Sequence, residues 1–123
     1  MITRLNTVTV YVSDQQKSLD FYVDKLGFEK RADRDMGPAG RWIEVCPSGA
    51  GTGLVLARGD VFGKQDRVGS SADLVFATDD VAAAHQTLLA RDVTVTEPEA
   101  QAWGTSFVVT DPDGLEVLIM QPR

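Results

Sequence analysis

The chain has a single cysteine, Cys46, and a single histidine, His85, among 123 residues. A lone cysteine excludes an intramolecular disulfide and any zinc site built on thiolates. Basic residues are also in short supply: 12 Lys and Arg stand against 18 Asp and Glu, for a formal net charge of −6. A surface of that sign repels phosphate backbones, so nucleic acid is not an expected partner. No apolar run approaches the ~18 residues of a membrane span. The N-terminal MITRLNTVTV enters a strand without the apolar core of a signal peptide. The expectation is a cytoplasmic protein without membrane or nucleic-acid partners.

What is present is a repeated order of elements. In NTVTVYVSD, Val8, Val10 and Val12 share one face of a strand, while Thr7, Thr9 and Tyr11 share the other. Ser13 or Asp14 can cap a helix with Leu19, Tyr22, Val23 and Leu26 on one stripe, which Gly27 ends. Strand-like segments follow at Phe28–Ala32, Trp42–Cys46 and Gly53–Ala57. The order β-α-β-β-β then recurs. It runs through a strand from Asp73, a cap within Thr78–Asp80, a helix with Val81, Ala84, His85 and Leu88 on one stripe, and strands at Val93–Thr96, Ser106–Thr110 and Glu116–Met120. A shift of 66 positions carries Asp14 onto Asp80 and Thr7 onto Asp73, so the repeat lies in pattern rather than in identical letters.

The length fits one domain, read as module one (1–57), connector (58–71) and module two (72–123). A module of roughly 55–60 residues is too small to be stable alone with one helix on one sheet face. The fold class expected is α+β: two β-α-β-β-β modules forming a curved mixed sheet around a cleft, with the helices on the outer face. The uncharged face of Thr7, Thr9 and Tyr11 would then look into the cleft.

The segments VYVSDQQKSLDFYVDKLGFE, FATDDVAAAHQTLLARDV and WGTSFVVTDPDGLEVLI together resemble the vicinal oxygen chelate superfamily. It contains glyoxalase I, methylmalonyl-CoA epimerase, extradiol dioxygenases, fosfomycin-modifying transferases and bleomycin-binding resistance proteins. The resemblance spans Ile2 to about Gln121 and implies a homodimer with pockets at or near the subunit interface. Enzymes of that superfamily hold a divalent metal on four inward positions. These fall here on Thr7, Asp73, Leu118 and, in the first module, near Val55. Only Asp73 offers a strong donor, whereas a first-row metal wants at least three nitrogen or oxygen ligands and an open position. No metal and no cofactor is therefore expected. The remaining route to a metal is an all-oxygen Mg²⁺ or Mn²⁺ site from Asp73, Glu44 and Glu116.

The space lined by Thr7, Val55 and Leu118 instead suits an organic ligand, since small-molecule sites are mostly apolar with a few polar anchors. The candidate ligand-binding residues are Thr7, Thr9, Tyr11, Trp42, Glu44, Val55, Asp73, Trp103, Phe107, Glu116 and Leu118. Aromatic walls would come from Tyr11, Trp42, Trp103 and Phe107, with Asp73 as an anchor for a cationic or hydrogen-bond-donating group. His85 belongs to the packed stripe of its helix, and Cys46 has no histidine placed to activate it. DPDG is a turn, and GAGTG lacks the strand–loop–helix context of a phosphate loop. The leading expectation is a metal-free binding protein that sequesters a small organic molecule such as an antibiotic. The alternatives are a glyoxalase-like lyase or isomerase or a dioxygenase-like enzyme of the same superfamily, with Asp73 or Glu116 as a base in a metal-independent version, and a structural or regulatory member without a ligand.

Overall fold

The computed structural model describes residues 1–123, which divide into two compact units, Met1–Ala72 and Asp73–Arg123. In the first, β1 (Thr7–Val12), β2 (Glu29–Asp35), β3 (Arg41–Cys46) and β4 (Gly53–Arg58) form a sheet ordered β1-β4-β3-β2. β1 runs parallel to β4, and the other pairs are antiparallel. In the second, β5 (Val75–Ala77), β6 (Thr94–Val95), β8 (Gly104–Thr110) and β9 (Glu116–Pro122) follow the order β5-β9-β8-β6, and β7 (Glu99–Gln101) also pairs with β8. β5 is parallel to β9. The class is the expected α+β with mixed sheets.

Both helices start on a carboxylate. The Asp14 Oδ1 accepts from Lys17 N at 3.0 Å ahead of α1 (Gln15–Asp20), and Asp80 Oδ1 accepts from Ala83 N at 3.0 Å ahead of α2 (Val81–Ala90). Each satisfies an amide that the first helical turn leaves without an intrahelical partner. α1 then widens into a π-helical turn, Phe21–Lys25, where Leu26 N reaches back to Phe21 O at 3.1 Å. The wider turn rotates the residues after it. As a result Gln15, Ser18, Leu19 and Tyr22 form the buried stripe, while Val23 and Leu26, expected there, are only half-buried. Gly27 closes the helix at φ 79°, with Phe28 N bonded to Tyr22 O at 2.9 Å.

Alternation places one face of each sheet in the core. Val10, Val12, Ile43 and Val45 are buried, whereas Thr7, Thr9, Tyr11, Trp42 and Glu44 on the opposite face are half-buried. In the second unit Phe107, Val109, Val117 and Ile119 are the buried set. Gln15 is a buried polar residue with full employment: its Nε2 donates to Arg41 O and Leu56 O at 2.6 and 2.7 Å, and its Oε1 accepts from Arg41 N at 3.0 Å. It ties α1 to β3 and β4. The DPDG segment is a turn in which Asp111 Oδ1 accepts from Asp113 N and Leu115 N, each at 2.9 Å.

Most strand ends differ from the expected ones by one or two residues, and three strands differ by more than their ends. β2 starts one residue later than expected and runs on to Asp35, with a register shift between Lys30 and Ala32 that leaves Arg31 as the extra residue of a bulge. β5 has three residues, and Asp73 lies ahead of it rather than within it. β7 was not expected, because all three of its residues are exposed and show no apolar alternation. No helix is long and apolar enough to cross a membrane.

Candidate functional site

The open face of the first sheet carries a cavity of about 140 Å³. Its floor is Thr9 and Tyr11 of β1 with Val55 and Ala57 of β4, cross-strand neighbours in register Thr9↔Val55 and Tyr11↔Ala57. Met36, Arg41 and Trp42 form one wall, and Phe62 closes the other. A second cavity, about 300 Å³, adjoins it and shares Met36 and Trp42, with Arg34 and Asp35 as its remaining lining.

Phe62 comes from the stretch 58–71, which is folded onto the sheet. Gly59 N donates to Val12 O at 3.1 Å, and Lys64 N donates to Gly59 O at 2.8 Å. A Cβ on Gly59 would meet Val68 Cγ2 at 2.7 Å and Lys64 O at 3.0 Å, so only glycine lets this loop pack so closely. The Arg67 guanidinium lies over the Tyr11 ring, 5.4 Å from its centroid, and the Ser71 hydroxyl accepts from Tyr11 N at 3.3 Å.

Charges around the cavity are engaged by partners. Arg41 makes a fork with Asp33, Nη2 to Oδ2 at 2.6 Å and Nε to Oδ1 at 3.0 Å, and Nη1 also donates to Gln16 Oε1 at 2.7 Å. This guanidinium holds the Asp33 carboxyl below the usual carboxylate range. Glu44 points to the expected face, but its Oε2 is taken by Arg31 Nε at 3.1 Å. The β2 bulge turns Arg31 toward it, and Arg31 Nη1 is further fixed on Ala50 O at 2.9 Å. Glu44 is therefore ion-paired rather than a free ligand anchor, and it lines neither cavity. Thr7 stands one step beyond the lining of the smaller cavity, on the same face of β1 and opposite Gly53.

In the second unit a hollow of about 290 Å³ is lined by Asp73, Leu74, Val75, Val108, Glu116, Val117 and Leu118. Val75 and Leu118 face each other across the parallel β5–β9 pair. Asp73 and Glu116 are both exposed, which leaves their carboxylates in contact with water. Phe107 corrects an expectation. It was placed on the ligand wall, but it is 2% exposed and lies under α2, edge-on to His85 with ring centroids 5.1 Å apart. Its neighbour Val108 takes the open face, because alternation admits only one of the two. Trp103 stands 62% exposed at the β7–β8 turn. Cys46 is buried.

The residues present do not fit the metal of the resembled enzymes. Val55 and Leu118 carry no donor atom, Thr7 has a neutral hydroxyl, and Glu44 is bound by Arg31. No group of three or more His, Cys, Asp or Glu side chains is placed to hold an ion. Sequence reasoning missed Met36, Ala57, Arg41 and Phe62. The signal for Phe62 was its position as an aromatic residue in an otherwise Gly-rich, charged connector.

Residues 4–119 match the family described as the Glyoxalase/Bleomycin resistance protein/Dioxygenase superfamily. The uncharacterized protein YetH of Bacillus subtilis is 37% identical over 98% of this chain and 100% of its own length. The crystal structure of TnmS3, an antibiotic binding protein from Streptomyces sp. CB03234, superposes with a TM-score of 0.88 at 39% identity, covering 99% of this chain and 98% of that one. A superfamily member from Sphaerobacter thermophilus superposes with a TM-score of 0.84 at 33% identity, covering 98% of both chains.

Proposed function

Since the chain belongs to the glyoxalase/bleomycin resistance protein/dioxygenase superfamily, we propose that it is a metal-free binding protein that sequesters a small organic molecule, an antibiotic or another metabolite, on the open face of its first unit. The observation that carries this reading is the composition of the cavity wall: Tyr11, Trp42, Met36, Phe62 and Val55 surround it, and its one charged lining residue, Arg41, is held in a fork by Asp33. Such a wall gains from covering an apolar, aromatic guest and has no group poised for bond-making. The likeness to TnmS3, itself an antibiotic binding protein, supports the same reading.

The binding form is a homodimer in this reading, as the resemblance to the superfamily implies. The test is a screen of aromatic antibiotics and metabolites by thermal shift and tryptophan quenching, with the bound compound recovered afterwards. Saturable binding with the compound returned intact is the expected result. Failure of every compound to bind would remove the proposal, and recovery of an altered compound would replace sequestration by catalysis.

A further inference from the structure

β3 and β4 stop pairing with each other before either strand ends. Their antiparallel pairing is made at Val45↔Leu54 and Glu44↔Val55. Continued in the same register, Ile43, Trp42 and Arg41 would stand opposite Leu56, Ala57 and Arg58, but the pairing does not continue. Each strand is still held there on its outer side, β3 through Arg34↔Trp42 and Asp35↔Arg41, β4 through Val10↔Leu56, Tyr11↔Ala57 and Val12↔Arg58. Gly53 N and Gly59 N both donate toward β1, to Asn6 O at 3.4 Å and Val12 O at 3.1 Å. Main-chain groups alternate sides along a strand, so Leu56 O turns to the seam with β3. It accepts there from Gln15 Nε2 at 2.7 Å. The same Nε2 donates to Arg41 O at 2.6 Å, and Arg41 N donates to Gln15 Oε1 at 3.0 Å. One side-chain amide thus fills the open end of the seam.

Its seat is prepared from two sides. The Asp14 cap starts α1 so that Gln15, 7% exposed, is the first helical residue. Gly40 stands just ahead of β3 at φ 89°, and a Cβ there would meet Gln15 Oε1 at 2.7 Å and Arg58 Cδ at 3.0 Å. The amide supplies two donors on one nitrogen beside an acceptor, which matches two carbonyls and one N–H.

Resting on the binding reading above, we infer that Gln15 is a positioning residue: its amide, entering from the helix side, holds β3 and β4 apart and so sets the spacing of Trp42 and Ala57 on the open side. Both residues line the smaller cavity, one from each strand. Without the amide, Arg41 N, Arg41 O and Leu56 O lose their partners, and closing the ladder restores them. Ile43 N then bonds Leu56 O, and Arg41 pairs with Arg58. Trp42 and Ala57 draw together as a non-hydrogen-bonded pair, with Cα atoms about 4.5 Å apart. The neighbouring guanidiniums do not replace the amide, since Arg41 is forked to Asp33 and Arg58 to Asp60.

NMR of the full chain reads the seam directly. The wild type should give no Hα–Hα cross-peak between Trp42 and Ala57, and Gln15→Leu should give a strong one. Gln15→Glu should divide with pH. At pH 5 the neutral acid, favoured by burial among carbonyls, keeps one donor and one acceptor and should leave the wild-type spectrum in place. At pH 8 the carboxylate has acceptors only, faces two carbonyl oxygens and should produce the Gln15→Leu cross-peak. The wild type is the control at both pH values. By calorimetry, 2-naphthamide should bind Gln15→Leu at least fivefold more weakly than the wild type. A Trp42–Ala57 cross-peak in the wild type, or none in Gln15→Leu, overturns the inference. If Gln15→Leu does not fold, Gln15→Glu decides: identical spectra at pH 5 and pH 8, or no folded protein at pH 5, overturn it. A closed seam with unchanged 2-naphthamide affinity overturns the positioning role. If the wild type binds no 2-naphthamide, the seam measurements alone decide the role of the amide, and the library screen decides the reading beneath it.

Discussion

The two units share a wiring diagram and differ in what they do with their open faces. In both, the first strand pairs in parallel with the last, and the shift of 66 that relates Asp14 to Asp80 carries Thr9 of the pair Thr9↔Val55 onto Val75 of the pair Val75↔Leu118, while Val55 and Leu118 are 63 positions apart. Both helices rest on an aspartate cap. Yet β1 has six residues and β5 three, and the first unit folds the stretch 58–71 across its sheet while Val75 in the second stays 56% exposed. Caps, strand direction and alternation are the inherited frame. Loops and the identities on the open face differ between the copies, and the candidate site lies where those additions are richest.

The comparison is broken most severely by exchanging the roles of two aromatics. Phe107 belongs to the frame, so Phe107→Ala should destabilise the protein by about 3–5 kcal/mol, read from urea unfolding, through loss of its packing under His85. Trp42 belongs to the site. Trp42→Ala should weaken an aromatic ligand by about 2 kcal/mol, roughly 30-fold by titration, while costing less stability than Phe107→Ala because the indole is only half-buried. If both variants lost stability equally and neither affected binding, the distinction between frame and site would fail.

Smaller effects sharpen it. Asp14→Ala and Asp80→Ala should each cost about 1 kcal/mol by denaturant unfolding, and by similar amounts, since they do the same work in the two copies. The Asp33–Arg41 fork has no counterpart assigned in the second unit. The native Asp33 pKa is lowered, first by the Arg41 hydrogen bonds. Its contribution is therefore present above the ordinary aspartate pKa of about 3.9 and is lost as pH falls through the lower native value. Asp33→Asn should remove about 0.2–1 kcal/mol at pH 7 and flatten that part of the acid limb in a stability–pH profile. An unchanged profile would show that the fork only orients Arg41.

The frame was legible because its signals are local. Asp14, Gly27, Asp80 and the alternation of Val8, Val10 and Val12 each report on a few neighbouring residues, and His85 was correctly assigned to packing by its helical stripe. Half of the smaller cavity's lining was legible for the same reason, through Thr9, Tyr11, Trp42 and Val55 on alternating strands. The rest depends on pairings that a linear pattern does not carry. Phe107 needed the phase of β8 relative to α2, and Glu44 needed the bulge that delivers Arg31. Gln15 reads as a polar surface residue until the carbonyls of Arg41 and Leu56 are brought to it. The connector's role depended on Arg67 reaching Tyr11, 56 positions earlier in the sequence.

In the proposed function an organic guest is held by side chains alone. The direct measurement is the fluorescence titration of Trp42, in a Trp103→Phe background, with the tightest compound from the screen, before and after exhaustive dialysis against EDTA. The account predicts the same dissociation constant in both states and no response to added Mg²⁺, Mn²⁺, Zn²⁺ or Ni²⁺. Loss of binding in the chelated protein, restored by one equivalent of a divalent ion per chain, would contradict it.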